Sequence, residues 1–254
     1  MASGAAHILT ISRDAMNSER YAVYFAPPPS SALWKFGSRL LGRDAYSGNK
    51  IALHVPAGVS AQEYADLVSG PGKYGFHATL KAPFSLHPDT QVSELIVALE
   101  KLARMHNRIL IPRLIVAVLK DFIAIRPKVG SRAIDDLAAN CVTQLDHFRA
   151  PLSLEQIRKR RMQALSNEQD ELMLRWGYPY VLDQYRFHMT LTGRLENKLL
   201  SVMHQVLARE LEHVLRQEYV VDALTLFRQE APDQPFQAVM RFPLAGGIQD
   251  AFHE

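Results

Sequence analysis

The sequence has little of what most covalent and metal-dependent chemistry requires. Among 254 residues there is one cysteine, Cys141. A single thiol makes no intrachain disulfide and no thiolate metal cluster. Cys141 lies in an apolar helical stretch, Ile134 to Phe148, and reads as a buried core thiol. There is no HExxH, no His-x-His pair beside carboxylates, no Cys/His cluster and no GxSxG. The patterns of common zinc sites and of the α/β-hydrolase nucleophile are therefore missing. Gly70 to Gly75 is rich in glycine but lacks the GxxxxGK[ST] order of a phosphate loop, so it reads as a turn. No apolar run approaches the ~20 residues of a membrane helix. The first fifteen residues have neither a basic start nor a long apolar segment, so no secretory signal is expected and a cytoplasmic address is. Residues 1–19 read as a flexible leader, with Met16 a candidate natural start.

An excess of charge is missing too. The 29 Lys and Arg nearly balance the 26 Asp and Glu, for a net charge of +3. A stable complex with a long nucleic acid is not expected, whereas a small phosphorylated ligand needs only a few local cations. With 48% hydrophobic residues the chain can build a substantial core, and residues 20–254 read as one globular domain.

What is present is a patterned succession of elements. Arg20 to Ala26 is β-branched and aromatic and stops at Pro27-Pro28-Pro29, so it reads as a strand with a rigid exit. Ser30 or Ser31 caps a helix to about Leu41, a short apolar piece follows at Ile51 to Val55, and Ser60 to Val68 reads as a helix. Phe76 to Pro83 is a strand, Val92 to Arg104 a helix, and Arg113 to Leu119 with Phe122 to Arg126 a hairpin turning at Lys120-Asp121. Three serine-capped helices begin at Ser131, Ser153 and Ser166, the last ending near Gly177. Arg186 to Thr192 is a strand, Glu196 to Leu215 an amphipathic helix, and Val220 to Phe227 and Phe236 to Phe242 are strands.

This order contains a repeat. His77-x-Thr79 and His188-x-Thr190 lie 188 − 77 = 111 residues apart, and each opens a strand followed by a helix and two strands. Two βαββ units imply an α+β protein of two lobes with a cleft on a pseudo-twofold axis. Lobe one spans about 20–130 and lobe two about 177–254, with a helical insertion at about 131–176. Side chains alternate faces along a strand, so His77 shares a face with Thr79, and His188 with Thr190. One neutral imidazole can accept a proton from attacking water while the other, protonated, gives one to the leaving oxygen. An unperturbed pKa of about 6.5 suits histidine to both tasks, and each transfer is typically worth about a hundred- to ten-thousand-fold in rate. Threonine hydroxyls can donate to the non-bridging phosphate oxygens. This scheme needs no metal and no cofactor.

Other residues are candidates for holding substrate. Lys81 shares the face of His77 if the strand stays regular, and Thr192 is its counterpart in the second motif. Arg186 and Arg194 flank the second motif, Arg228 lies near a strand end, and Tyr24 on the first strand is placed to meet a ring or sugar. Arg158-Lys159-Arg160-Arg161 is the one dense basic run. It reads as a solvated helix face, or as a lid that lends a cation to a doubly phosphorylated substrate.

FHATLKAPF and FHMTLTGRL resemble the paired H-x-T/S motifs of the 2H phosphoesterase superfamily. RYAVYFAPPP, YGFHATLKAPF and RFHMTLTGRL, the last followed by LTLFRQ, are similar to its bacterial DUF1045 branch, which is associated with phosphonate metabolism. The resemblance runs from about residue 20 to the end. It implies antiparallel sheets around a cleft holding both histidines and both threonines, with helices outside. It further implies metal-independent cleavage of a cyclic or 2′-linked phosphodiester, for this branch a ribosyl 1,2-cyclic phosphate bearing a 5-phosphate. RNA or nucleoside 2′,3′-cyclic phosphodiesterase or 2′–5′ ligase-like activity, and a noncatalytic nucleotide-binding module, are the alternatives. The pattern sets no oligomeric state.

Overall fold

In the computed structural model residues 19–250 are described, the last three by backbone alone. The expected leader over 1–18, with Met16, lies outside the described residues. Glu19 is anchored: it accepts a hydrogen bond from the Tyr21 hydroxyl at 2.7 Å and pairs with Arg228.

Strand β1 (Arg20–Phe25) is buried at every position but the first. A strand covered on both faces reads as a continuous apolar run instead of an alternating one, which accounts for its composition. It lies inside a seven-stranded sheet. The other members are β2 (Ala78–Phe84), β4 (Leu114–Leu119), β5 (Phe122–Pro127), β6 (Met189–Thr190), β8 (Ala223–Gln229) and β9 (Gln237–Pro243). The spatial order is β4-β5-β6-β2-β1-β8-β9, with every neighbouring pair antiparallel. A second sheet joins β10 (Ile248–Asp250), β3 (Arg108–Ile111) and β7 (Tyr219–Val221).

Among the described residues seven α-helices accompany the sheets: α1 (Ala32–Leu41), α2 (Ala61–Gly72), α3 (Val92–Arg104), α4 (Arg132–Gln144), α5 (Leu154–Arg161), α6 (Asn167–Trp176) and α7 (Asn197–Leu215). The fold class is α+β, as expected. Ser31, Ser60, Ser131, Ser153 and Ser166 each accept a backbone N–H at a helix start. Such caps satisfy donors that have no partner within the helix. The Ile51 to Val55 piece forms no strand.

The repeat is longer than the sequence pattern indicates. Each motif strand is followed by a helix and three strands: β2-α3-β3-β4-β5 and β6-α7-β7-β8-β9. The extra strands β3 and β7 pair with each other, Ile109 opposite Val221, and the motif strands meet at Ala78 opposite Met189. These two pairs of equivalent strands thus adjoin, but the hairpins are not placed symmetrically: β5 lies next to β6 with β4 at the edge, whereas β8 lies inside, separated from β2 by β1, with β9 at the edge. The expected lobes were contiguous stretches of chain, whereas the observed sheet interleaves the halves. Hairpin β4–β5 lies beside β6 of the second half, and β8–β9 beside β1 of the first.

Helix α2 runs on to Gly72 through the expected turn, with Pro71 in its last turn. Proline has no N–H to give to the carbonyl four residues back. That carbonyl, on Leu67, instead accepts the Gly193 N–H at 2.9 Å. A Cβ on residue 193 would sit 2.5 Å from the same oxygen, so only glycine permits the approach. The contact ties the segment after the second motif to α2.

Candidate active site

Both histidines stand one residue before their strands begin, and they are held alike. The Nδ1 of His77 lies 2.9 Å from the carbonyl of Gly75, and the Nδ1 of His188 lies 2.7 Å from that of Arg186. A carbonyl only accepts, so in each ring the proton sits on Nδ1 and Nε2 is left for chemistry. Gly75 has φ +76°, and a Cβ there would come within 2.5 Å of the Ala45 Cβ. The carbonyl that orients His77 is therefore presented by a residue that must be glycine. The Nε2 of His77 meets the Thr79 hydroxyl at 3.2 Å, which establishes the shared face. Thr190 stands opposite Ala124 of β5, one strand over.

The walls are aromatic. Tyr24 stacks on His77 with centroids 3.7 Å apart and planes 20° apart. Phe227 lies 6.1 Å from the same imidazole and Tyr74 6.4 Å, while Phe122 lies 5.8 Å from His188. Burial pushes the His77 pKa down to about 4, and repulsion from His188 adds to the effect. Burial also lowers His188, against the carbonyl bond that favours its charged form. The two imidazoles are thus close enough to feel each other's charge, and both rest neutral near pH 7.

The structure brings His77, Thr79, His188 and Thr190 to adjoining strands and redistributes the other candidates. Tyr24 is 1% exposed, packed against His77, Phe227 and Phe236, so it positions the imidazole and offers no open face to a sugar. Lys81 is turned away from the cleft. Between Tyr24↔Thr79 and Val23↔Lys81 the register slips by one residue, and this bulge reverses the alternation. The Lys81 ammonium is buried and donates to the Val142 carbonyl at 3.0 Å and to Asp146 at 3.2 Å. Thr192 is buried, and its hydroxyl accepts the Ile123 N–H at 3.0 Å. Arg194 is exposed and pairs with Asp121 at 3.4 Å. Arg228 is flanked by Glu19 and Glu230. Arg186 folds back to donate to the Asp183 carbonyl at 2.9 Å. Cys141 is a buried thiol raised to about 12 by desolvation. Among the described residues no three His, Cys, Asp or Glu side chains converge as a metal site would require, and no helix is long and apolar enough to cross a membrane.

Residues that the motifs did not single out complete the surroundings. Arg20 lies over the Phe236 ring at 5.3 Å, and Tyr74 stacks on that ring at 5.3 Å. Tyr178 lies 5.6 Å from Tyr180, whose ring carries Lys120 at 5.7 Å. Of the basic run on α5, Arg160 is the half-buried member, and Arg158, Lys159 and Arg161 are exposed. The signal for Arg160 was the run itself, read as a solvated face or a lid.

Residues 79–237, spanning Thr79, His188 and Thr190, match the family described as "Protein of unknown function (DUF1045)". Two curated relatives are both named "Ribose 1,5-bisphosphate phosphokinase PhnN". One, from Janthinobacterium sp. (strain Marseille), is 34% identical over 94% of this chain and 53% of its own length. The other, from Laribacter hongkongensis (strain HLHK9), is 42% identical over 70% of this chain and 40% of its own. The chain thus spans about half the length of these relatives or less. A crystal structure of E. coli LigT complexed with 3′-AMP aligns with 90% of this chain and 99% of its own at 12% identity and a TM-score of 0.42. A crystal structure described only as a phosphoesterase aligns over the same shares at 12% identity with a TM-score of 0.40. The match over 237 − 79 + 1 = 159 of 254 residues decides the family: the chain belongs to DUF1045.

Proposed function

We propose that the protein hydrolyses a cyclic phosphodiester with His77 as general base and His188 as general acid. The observation that carries this reading is the matched pair of imidazoles, each with Nδ1 engaged by the carbonyl two residues earlier, which makes Nε2 the basic nitrogen; that of His77 rests against the Thr79 hydroxyl until a substrate takes its place. Water attacks phosphorus and gives its proton to His77. The bond from phosphorus to the leaving oxygen breaks as His188 protonates that oxygen. Exchange with solvent then resets both rings. The hydroxyls of Thr79 and Thr190 donate to the non-bridging oxygens, and every step is made by side chains of this chain.

The assignment of roles follows from electrostatics. His77 is the more crowded ring and is repelled by His188, so a single shared proton resides on His188. The kcat/KM profile is then a bell with its acid limb at about 4, from His77, and its alkaline limb below the ordinary histidine value of 6.5, from His188. The limbs of kcat lie higher, because the bound phosphate anion favours both imidazolium forms. An alkaline optimum in kcat/KM would rule these roles out.

For the substrate we favour a ribosyl 1,2-cyclic phosphate carrying a 5-phosphate. Breaking its P–O2 bond leaves the phosphate on O1 and yields ribose 1,5-bisphosphate. The curated relatives, of which this chain matches a part, are named for a kinase acting on that compound. Phosphorus NMR of the protein with this ester and with nucleoside 2′,3′-cyclic phosphates, in excess EDTA, tests the reading. Ring opening of the sugar ester to the 1-phosphate is expected. Faster opening of the nucleotides would move the substrate to RNA ends, and binding without any turnover would leave a ligand-binding module.

A further inference from the structure

Seven arginines of this protein end on a carboxylate: Arg104, Arg149, Arg161, Arg194, Arg216, Arg228 and Arg241 each form an ion pair. Among the described residues the half-buried Arg20 and Arg160 do not. Arg20 donates through Nε to the Gln229 side chain at 2.7 Å and lies over the Phe236 ring. Arg160 has a buried Nε without a hydrogen-bond partner among the described residues. It comes from α5, a helix with no buried residue, so hydrophobic packing does not explain why its side chain is half-buried. The two guanidiniums lie within reach of each other's charge, and Tyr74 and Tyr178 lie within the same range of Arg160. Tyr74 connects this cluster to the chemistry, with its ring stacked on Phe236 and 6.4 Å from His77.

Two like charges within each other's range, one with an unused buried donor, cost stability unless an anion joins them. Guanidinium forks match a phosphate's tetrahedral oxygens, and phenol hydroxyls supply further donors. A charge of +2 matches a phosphate monoester dianion. We infer that Arg160 and Arg20, with the hydroxyls of Tyr74 and Tyr178, form a second phosphate subsite beside His77. It holds a monoester one sugar ring away from the phosphodiester being opened. The inference rests on the phosphodiesterase reading for the role of His77 and adds the requirement for a doubly phosphorylated substrate. Helix α5 is then a cap whose docking on the cleft is driven by that second phosphate.

Two measurements on the full chain test this. The first is the ratio of kcat/KM for ribosyl 1,2-cyclic phosphate with a 5-phosphate to that without one. Arg160→Ala is expected to lower this ratio by about 10- to 150-fold, the worth of a charged hydrogen bond, whereas Arg161→Ala leaves it within about twofold. The second is calorimetric binding of ribose 5-phosphate, which carries no cyclic ester. Its affinity is expected to fall by a similar factor in Arg160→Ala and to persist in His188→Ala. An unchanged ratio with normal turnover overturns the subsite and leaves the phosphodiesterase standing. Arg160-dependent binding of ribose 5-phosphate with no turnover of any cyclic ester overturns the phosphodiesterase and leaves the subsite. Because α5 buries no residue and Arg160 is an unpaired cation beside another, Arg160→Ala should melt at or above the temperature of the parent protein without phosphate, and a lowered melting temperature would mark a structural role instead.

Discussion

His77→Ala and His188→Ala are each expected to lower kcat on a cyclic phosphodiester by about a hundred- to ten-thousand-fold, the usual worth of one positioned proton transfer. The double replacement should fall little below the worse single one. Groups that act in one concerted step are non-additive, since losing either leaves the other without its counterpart. The singles should differ in shape. In His77→Ala the acid limb near 4 disappears from kcat/KM, and in His188→Ala the alkaline limb does. Their stabilities should differ as well. His77 is stacked face to face on buried Tyr24, whereas His188 has only a tilted contact with Phe122, so His77→Ala is the more destabilising change. Circular dichroism melts separate that loss from chemistry. Activity within tenfold of the parent in either single variant would sink the two-histidine mechanism, and exchanged limbs would reverse the roles.

The features legible in the sequence were those set by local periodicity. Alternation along a strand placed His77 with Thr79, and the duplicated spacing marked His188 and Thr190 as their equivalents. Serine caps fixed the helix starts at 131, 153 and 166. What escaped was set by distant partners. Strands β3 and β7 have four and three residues, and among the described residues their only antiparallel partners are each other, so no local pattern declares them. The exchange of hairpins between halves is a property of pairing and leaves no trace in hydropathy. Arg194 and Arg228 were reasonable anion ligands until Asp121 and Glu19, remote or unplaced in the sequence, proved to pair with them. Arg160 is the reverse case. Four consecutive cations spread around a helix, and only the docking of that helix decides which one turns inward.

Lys81 shows how one inserted residue changes a role, and the ion pair that results has the largest expected effect on stability. The bulge in β2 turns its side chain from the cleft to the α4 side, where Asp146 is shared with Arg149. The Lys81 side chain is 4% exposed, Arg149 11% and Asp146 22%, so all three groups have left most of their water behind. Asp146→Ala strands two buried cations and is expected to destabilise the fold by about 3–5 kcal/mol, the usual cost of removing one partner from a buried pair. Lys81→Met costs less. It keeps the aliphatic stem and leaves Asp146 paired with Arg149, so the main loss is the bond to the Val142 carbonyl, about 1–3 kcal/mol. In the Asp146→Ala background Lys81→Met should restore part of the loss, because it removes a charge that no longer has a partner. The pH dependence has a fixed sign. Burial already holds Lys81 below its ordinary 10.5, and Asp146 opposes that fall. Without Asp146 the folded protein binds this proton still more weakly than the unfolded chain does, so stability rises with pH below 10.5. The deficit of Asp146→Ala should therefore shrink between pH 7 and 10, read by urea denaturation. Through all of this kcat of the folded fraction should stay within about threefold of the parent, because Lys81 faces away from His77. A folded Lys81→Met without activity would return that lysine to the cleft.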